Sequence, residues 1–244
     1  MPASGLFITG TDTGVGKTAV AMAMTAERRA GGGRVGVYKP VASGVMLDGT
    51  SDIERLWEAA GRPLSLAAVC PQAFAAAIAP VQAAAAEGKQ IDEQLLREGI
   101  RPWQEASDFV IVEGAGGLFS PLGECSLNID VARDLGLPVV IVDAARLGMI
   151  GRTLALVRAA RAEGLEPAAV VISHVHPLGG SPHDPTSEAG VVRHGVAELV
   201  RRLAPLPVVE LPHGFEVLHW MTAPVSLVAI PGSLPGSLRN DRPV

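Results

Sequence analysis

Short runs of consecutive apolar residues alternate along the chain with longer stretches whose apolar positions recur every three to four residues. The short runs are Leu6-Phe7-Ile8, Val35 to Tyr38, Phe109 to Val112, Pro138 to Val142, Ala169 to Ile172 and Pro207 to Val209. Continuous, β-branched runs belong to strands buried on both faces, as in a parallel sheet covered by helices. Between them lie the periodic stretches. Lys17 to about Ala30 reads as a helix stopped by Gly31-Gly32-Gly33, and a second helix runs from Asp52 to near Gly61 with Ser51 as its cap. Further helices are predicted over Asp92 to about Ala106, Gly148 to Glu163 and Glu188 to Leu203. The β-α alternation predicts an α/β fold with a doubly wound, mainly parallel β-sheet flanked by helices. Two segments break the pattern. His174 to Thr186, rich in Pro, Gly and His, reads as a loop, and Gly214 to Val244 carries Pro224, Pro231, Pro235 and Pro243 with little periodicity. Residues 1–213 are therefore read as one domain and 214–244 as a tail packed on it.

Composition narrows the function classes. The 244 residues suit one large domain, and 48% hydrophobic against 18% charged residues excludes an intrinsically disordered chain. Lys plus Arg is 20 and Asp plus Glu is 25, a net charge of −5. That balance argues against a general nucleic-acid or anionic-membrane binder, which needs a basic face. Cys70 and Cys125 stand far apart and form neither a disulfide framework nor a zinc knuckle. The start of the chain has no basic residue ahead of an apolar stretch. The longest uncharged run, between Arg62 and Glu87, is broken by Pro63, Pro71 and Pro80. Neither reads as a secretory leader or a membrane span, so a cytoplasmic protein is expected.

The chemistry concentrates after three strands. Behind the first comes Gly10-Thr11-Asp12-Thr13-Gly14-Val15-Gly16-Lys17-Thr18, and a helix follows. Glycines let several backbone N–H groups face one anion, and the helix N-terminus adds its dipole. Lys17 would reach the terminal phosphates and Thr18 would place its hydroxyl on Mg²⁺. The spacing between Gly10 and the Gly16-Lys17 pair is one residue longer than the general phosphate-loop form. Behind the second strand stands Lys39-Pro40-Val41-Ala42-Ser43-Gly44, which points a lysine and a hydroxyl into the crevice where α/β sheets bind ligands. Behind the Phe109 strand stands Glu113-Gly114-Ala115-Gly116-Gly117, followed by Ser120-Pro121-Leu122. A carboxylate closing an apolar strand suits Mg²⁺ support, and the glycines let a substrate approach the backbone.

Taken together, these three segments resemble the dethiobiotin synthetase family, over roughly residues 5 to 173. The long loop spacing and Asp12 both agree with the family's own form. The resemblance implies a P-loop NTPase-like fold and a ligase that closes the ureido ring of dethiobiotin. Its substrates would be 7,8-diaminopelargonic acid, CO₂ and ATP, joined through a carbamate and a carbamic–phosphoric anhydride. It places Thr13, Gly14, Val15, Gly16, Lys17 and Thr18 on the nucleotide, with Ser173 near its base. Lys39 and Lys17 become catalytic, screening carbamate and γ-phosphate, with Ser43 holding the carbamate or substrate. Thr18, Asp52 and Glu113 form the Mg²⁺ set. Gly116 and Gly117 are expected beside the diamine, and Gly151 and Arg152 near its carboxylate tail in a homodimer.

Three departures accompany the resemblance. Ser173-His174 replaces an Asn-Asp pair whose asparagine reads adenine; serine offers no bidentate amide, so ATP is expected while base selectivity is left open. Gly151 replaces an asparagine in the dimer helix, and the Arg152 beside it suits a carboxylate. A proline- and histidine-containing stretch is replaced by Ala75-Ala76-Ala77-Ile78-Ala79-Pro80-Val81. Alternatives are a related synthetase acting on another amine or carboxylate, and a nucleotide-switched regulator. Against the regulator stands Asp12, where a related switch family has a signature lysine. His174, His176 and His183 share a loop with Asp184 and are read as solvated rather than metal-binding.

Overall fold

The computed structural model describes residues 4–45 and 51–214. Its strands are β1 Ser4–Gly10, β2 Val35–Tyr38, β3 Phe109–Gly117, β4 Val139–Ala144, β5 Pro167–Ser173 and β6 Val208–Leu211. They form one sheet in the order β2-β3-β1-β4-β5-β6, every neighbouring pair parallel. The chain winds outward from β1 in both directions, which is the doubly wound α/β arrangement. The strands are apolar along their length because helices cover the sheet: Leu6, Phe7 and Ile8 and the Val139–Val142 run are almost wholly excluded from solvent.

The helices among the described residues are α1 Lys17–Ala30, α2 Asp52–Ala59, α3 Leu66–Val69, α4 Pro80–Ala86, α5 Leu95–Glu98, α6 Arg101–Ala106, α7 Asn128–Leu135, α8 Met149–Ala162 and α9 Glu188–Leu203. Ser51 caps α2 as its sequence predicts, in a reciprocal box with Glu54. The helix predicted over Asp92 to Ala106 is two short ones instead. The Asp92 carboxylate accepts from Leu95 N–H at 2.9 Å, and Pro102 has no N–H to continue the ladder across Gly99-Ile100. Trp103, fully buried, ties α6 to α3 by donating from Nε1 to the Ala68 carbonyl at 2.7 Å. The pattern also left α7 unread, although this helix carries the crossover from β3 to β4. The loop expected after Ser173 has no helix or strand before α9. Residues 215–244, the bulk of the expected tail, lie outside the described residues.

One irregularity in register shapes the site. Ile8 pairs with Glu113, but two residues later Gly10 pairs with Gly117. Gly114, Ala115 and Gly116 are thus pushed out of register, and β3 continues through its glycines instead of ending before them.

Candidate active site

The segments that follow β1, β2, β3 and β5 leave the same edge of the sheet. The loop after β1 is held at both ends. Thr11 N–H donates to the Val142 carbonyl at 2.9 Å, and its hydroxyl donates to Asp143 Oδ1 at 2.6 Å. At the far end Gly16, with φ 93°, is the residue before α1. A Cβ there would lie 2.3 Å from Ser173 Oγ, so only glycine fits both the left-handed backbone and the contact. No side chain caps α1 at Gly16, so its dipole and first N–H groups face the loop. Val15 is buried beneath the loop and anchors it. Lys17 folds back so that Nζ donates to the Asp12 carbonyl at 2.8 Å. Burial pulls its pKa down, and neighbouring Lys39 adds to that, while Glu113 works against both.

Lys39, Asp52, Glu113 and Thr18 converge beside this loop. Lys39 Nζ lies 2.8 Å from Glu113 Oε1 and 3.1 Å from Asp52 Oδ2. Thr18 Oγ1 donates to the same Glu113 oxygen at 3.0 Å. Burial disfavours the Lys39 charge, but the two carboxylates outweigh it and raise its pKa, so the ammonium stays protonated. Burial pushes Asp52 up, and Lys39 with Thr18 pulls it further down, leaving a carboxylate below its ordinary range.

These groups line a crevice of about 950 Å³. Thr13, Gly14, Gly16, Lys17 and Thr18 form its phosphate-loop wall, and Lys39, Ser43, Asp52 and Glu113 the wall beside it. Gly116 lines it as well, with Gly114 and Ala115. Ser173 lines it against Gly16, together with His174, Val175 and Leu211 to Gly214. Gly117 stands behind the lining and donates its N–H to Ser120 Oγ at 2.9 Å. Gly151 and Arg152 lie apart from this crevice. Gly151 is exposed on α8, and Arg152 turns inward onto Asp143 with Nη2 at 3.2 Å.

A family model described as an AAA domain matches residues 4–212. The ATP-dependent dethiobiotin synthetase of Rhodopirellula baltica is 44% identical over 189 residues, covering 71% of this chain and 73% of its own. The enzyme of that name from Anaeromyxobacter dehalogenans strain 2CP-C is 42% identical, covering 78% and 84%. That of Caulobacter vibrioides is 40% identical over 172 residues, covering 69% and 78%. The chain belongs to the dethiobiotin synthetase family.

In this dethiobiotin synthetase family member the oxygen donors suit a hard divalent cation. Glu113 Oε2 is buried and has no hydrogen-bond partner, while Thr18 supplies a hydroxyl and Asp52 a half-exposed carboxylate beside it. Two carboxylates and a hydroxyl, with water completing the shell, fit Mg²⁺. Among the described residues no group of three or more His, Cys, Asp or Glu side chains is placed to share a metal ion, and His174, read from sequence as solvated, is instead mostly buried with Nε2 2.9 Å from Glu210 Oε2.

Two residues of the family member's site were not legible as such. Asn128, the first residue of α7, is fully buried and donates through Nδ2 to the carbonyls of Ala115 at 2.6 Å and Gly117 at 2.8 Å. It fastens the displaced glycine segment from behind, and a Cβ on Gly114 would lie 2.2 Å from its Oδ1. Arg55 lines the crevice one turn after Asp52, 3.9 Å from its carboxylate. An i, i+3 spacing from a capped Asp52 is the one sequence signal for Arg55; Asn128 had none, because its partners are backbone carbonyls.

Proposed function

We propose that this chain is an ATP- and Mg²⁺-dependent cyclo-ligase that closes the ureido ring of dethiobiotin from 7,8-diaminopelargonic acid and CO₂, a step of biotin biosynthesis. The observation that carries the reading is the placement of two buried lysines, Lys17 and Lys39, on one crevice with Thr18, Asp52 and Glu113. The family membership supports it.

The chemistry joins anions. One amine of the diamine adds to CO₂ and loses a proton, giving a carbamate. A carbamate oxygen then attacks the γ-phosphorus as ADP leaves. The second amine attacks the carbamoyl carbon and expels phosphate, closing the ring. Such a sequence needs charge screening more than a strong base. Lys17, at the helix start, is placed for the terminal phosphates. Lys39, kept protonated by its carboxylates, is suited to sit between carbamate and γ-phosphate and to stabilise charge rather than to take protons. Ser43 offers a hydroxyl to the carbamate, and the out-of-register backbone at Gly116, with Gly117 behind it, admits the diamine. Thr18, Asp52 and Glu113 would hold Mg²⁺, which supplies Lewis-acid neutralisation of phosphate charge. The exposed start of α8 around Gly151 is assigned to the diamine's tail across a homodimer interface, with Arg152 behind it. A cytoplasmic location is part of this reading, as expected of an enzyme that draws on ATP; among the described residues no helix is long and apolar enough to cross a membrane.

The test mixes the protein with Mg²⁺, bicarbonate and ATP, adds 7,8-diaminopelargonic acid, and looks for dethiobiotin by mass. ADP release that depends on the diamine, with product, is expected. ADP release indifferent to the diamine, without product, overturns the proposal.

A further inference from the structure

Asp143, at the end of β4, is wholly buried and belongs to none of the steps above. Its Oδ1 accepts from the Thr11 hydroxyl at 2.6 Å, from Ala144 N–H at 2.8 Å and from Arg152 Nε at 3.2 Å. Its Oδ2 accepts from the Thr153 hydroxyl at 3.1 Å, and Thr153 is itself fully buried. One carboxylate therefore joins the first turn of the phosphate loop to the first two turns of α8. Both oxygens are satisfied, so this is a built contact rather than a stranded charge. Arg152 is further fixed by donating to the Leu147 carbonyl at 3.3 Å. Behind Thr11, the Asp12 carbonyl is the resting partner of the Lys17 ammonium.

We propose that Asp143 is a positioning residue that couples occupancy of the phosphate loop to the order of the α8 N-terminus. The physical reason is that Thr11 cannot shift on nucleotide binding without drawing on the carboxylate that also holds Arg152 and Thr153. A hydrogen bond to a charged, buried acceptor shifts an equilibrium by roughly tenfold or more, enough to bias the order of a helix start. The coupling rests on the reading of the loop as a nucleotide site. If tail recognition uses the start of α8, nucleotide in one place then prepares the substrate contact in the other.

The test uses the full chain and two readouts: calorimetric affinity for ADP with Mg²⁺, and amide hydrogen exchange at Arg152 and Thr153 with and without ADP. In the wild type, ADP slows exchange at those amides. Thr11→Val is expected to weaken ADP about tenfold, the size of one charge-assisted bond, and to abolish the ADP-dependent slowing. Thr11→Ser, which keeps the hydroxyl, restores both. Asp143→Asn, which keeps an acceptor for Thr11 but loses the charge facing Arg152, leaves exchange at Arg152 fast with or without ADP. Should Asp143→Asn fail to fold, the Thr11 pair decides. Thr11→Val that still shows wild-type slowing at α8 overturns the coupling. If the wild type binds no ADP, the nucleotide reading itself falls, and the coupling with it.

Discussion

Lys39 Nζ stands 2.8 Å from Glu113 Oε1, while the second oxygen of that carboxylate is buried and bonded to nothing. The pair is nearly sealed, with side chains 7% and 2% exposed. Removing one partner strands the other. Lys39→Met should therefore destabilise the metal-free protein by about 3 kcal/mol and reduce turnover by roughly a hundredfold or more. Urea denaturation at neutral pH checks the first, and dethiobiotin formation the second. An unchanged midpoint would mean that the pair contributes nothing to stability.

Glu113→Gln keeps the shape and takes away the charge. The unpartnered oxygen is the one best suited to a cation, so the Mg²⁺ concentration for half-maximal activity should rise at least about tenfold, as for other losses in a metal's immediate surroundings. A Mg²⁺ titration of ADP release reads this. A curve superimposable on the wild type would remove Glu113 from the metal set.

The pH dependence follows from the Lys39 carboxylates. Asp52 is held below its ordinary value of 3.8 in the folded state. Its contribution is present above that value and is lost as pH falls toward the lower folded one, because the unfolded chain takes up a proton first. Asp52→Asn should lose stability less steeply than the wild type in acid below about pH 4. Lys39 has the opposite sign: its folded pKa is raised above 10.5, so its contribution is complete below that value and is lost as the pH rises through the folded one. Chemical denaturation at a series of pH values measures both slopes.

Asn128 holds the carbonyls of Ala115 and Gly117 from behind the crevice. Asn128→Leu leaves them without a buried donor, at a cost of about 1–3 kcal/mol. Because the displaced segment lines the crevice where the diamine is proposed to bind, KM for the diamine should rise several-fold while ADP affinity stays near the wild type. A loss confined to thermal stability, with both constants intact, would make Asn128 purely structural.

Ser173 Oγ lies against Gly16, where an added Cβ would sit 2.3 Å away. A single hydroxyl packed against the loop gives no paired donor and acceptor to a base, whereas a bidentate amide contributes about 1–3 kcal/mol of discrimination. CTP, GTP and UTP should therefore support turnover within about tenfold of ATP. Rates measured with each triphosphate decide it, and a preference for ATP above a hundredfold would show that other contacts around Leu211 to His213 select the base.

Local signals carried much of the architecture. Helix α9 is found over the residues its periodicity predicts, and α1 and β2 likewise, because burial on one face leaves a regular apolar trace. Helix α7 escaped, since it is short and its first residue faces backbone carbonyls instead of a core. The predicted Asp92 helix broke because Pro102 interrupts a ladder that apolar spacing does not register. The phosphate loop, Lys39, Ser43 and Glu113 stand out by residue type behind their strands, whereas Asp52 by itself reads as a first-turn helix carboxylate and enters the site only through the family resemblance; all share one crevice.

By itself the sequence determined which chemistry is present: an anion-binding loop opening a helix, lysines and carboxylates at strand ends, and glycines where a substrate can approach. These follow from residue type and near spacing, which act over a few positions. Tertiary structure alone decided which of those groups meet. Lys39 and Glu113 are 74 residues apart and Thr11 and Asp143 are 132 apart, joined only because β3 inserts beside β1 and β4 flanks it on the other side. Strand order also turned Arg152 onto a buried carboxylate, since the orientation of a charged side chain depends on partners that no local pattern contains.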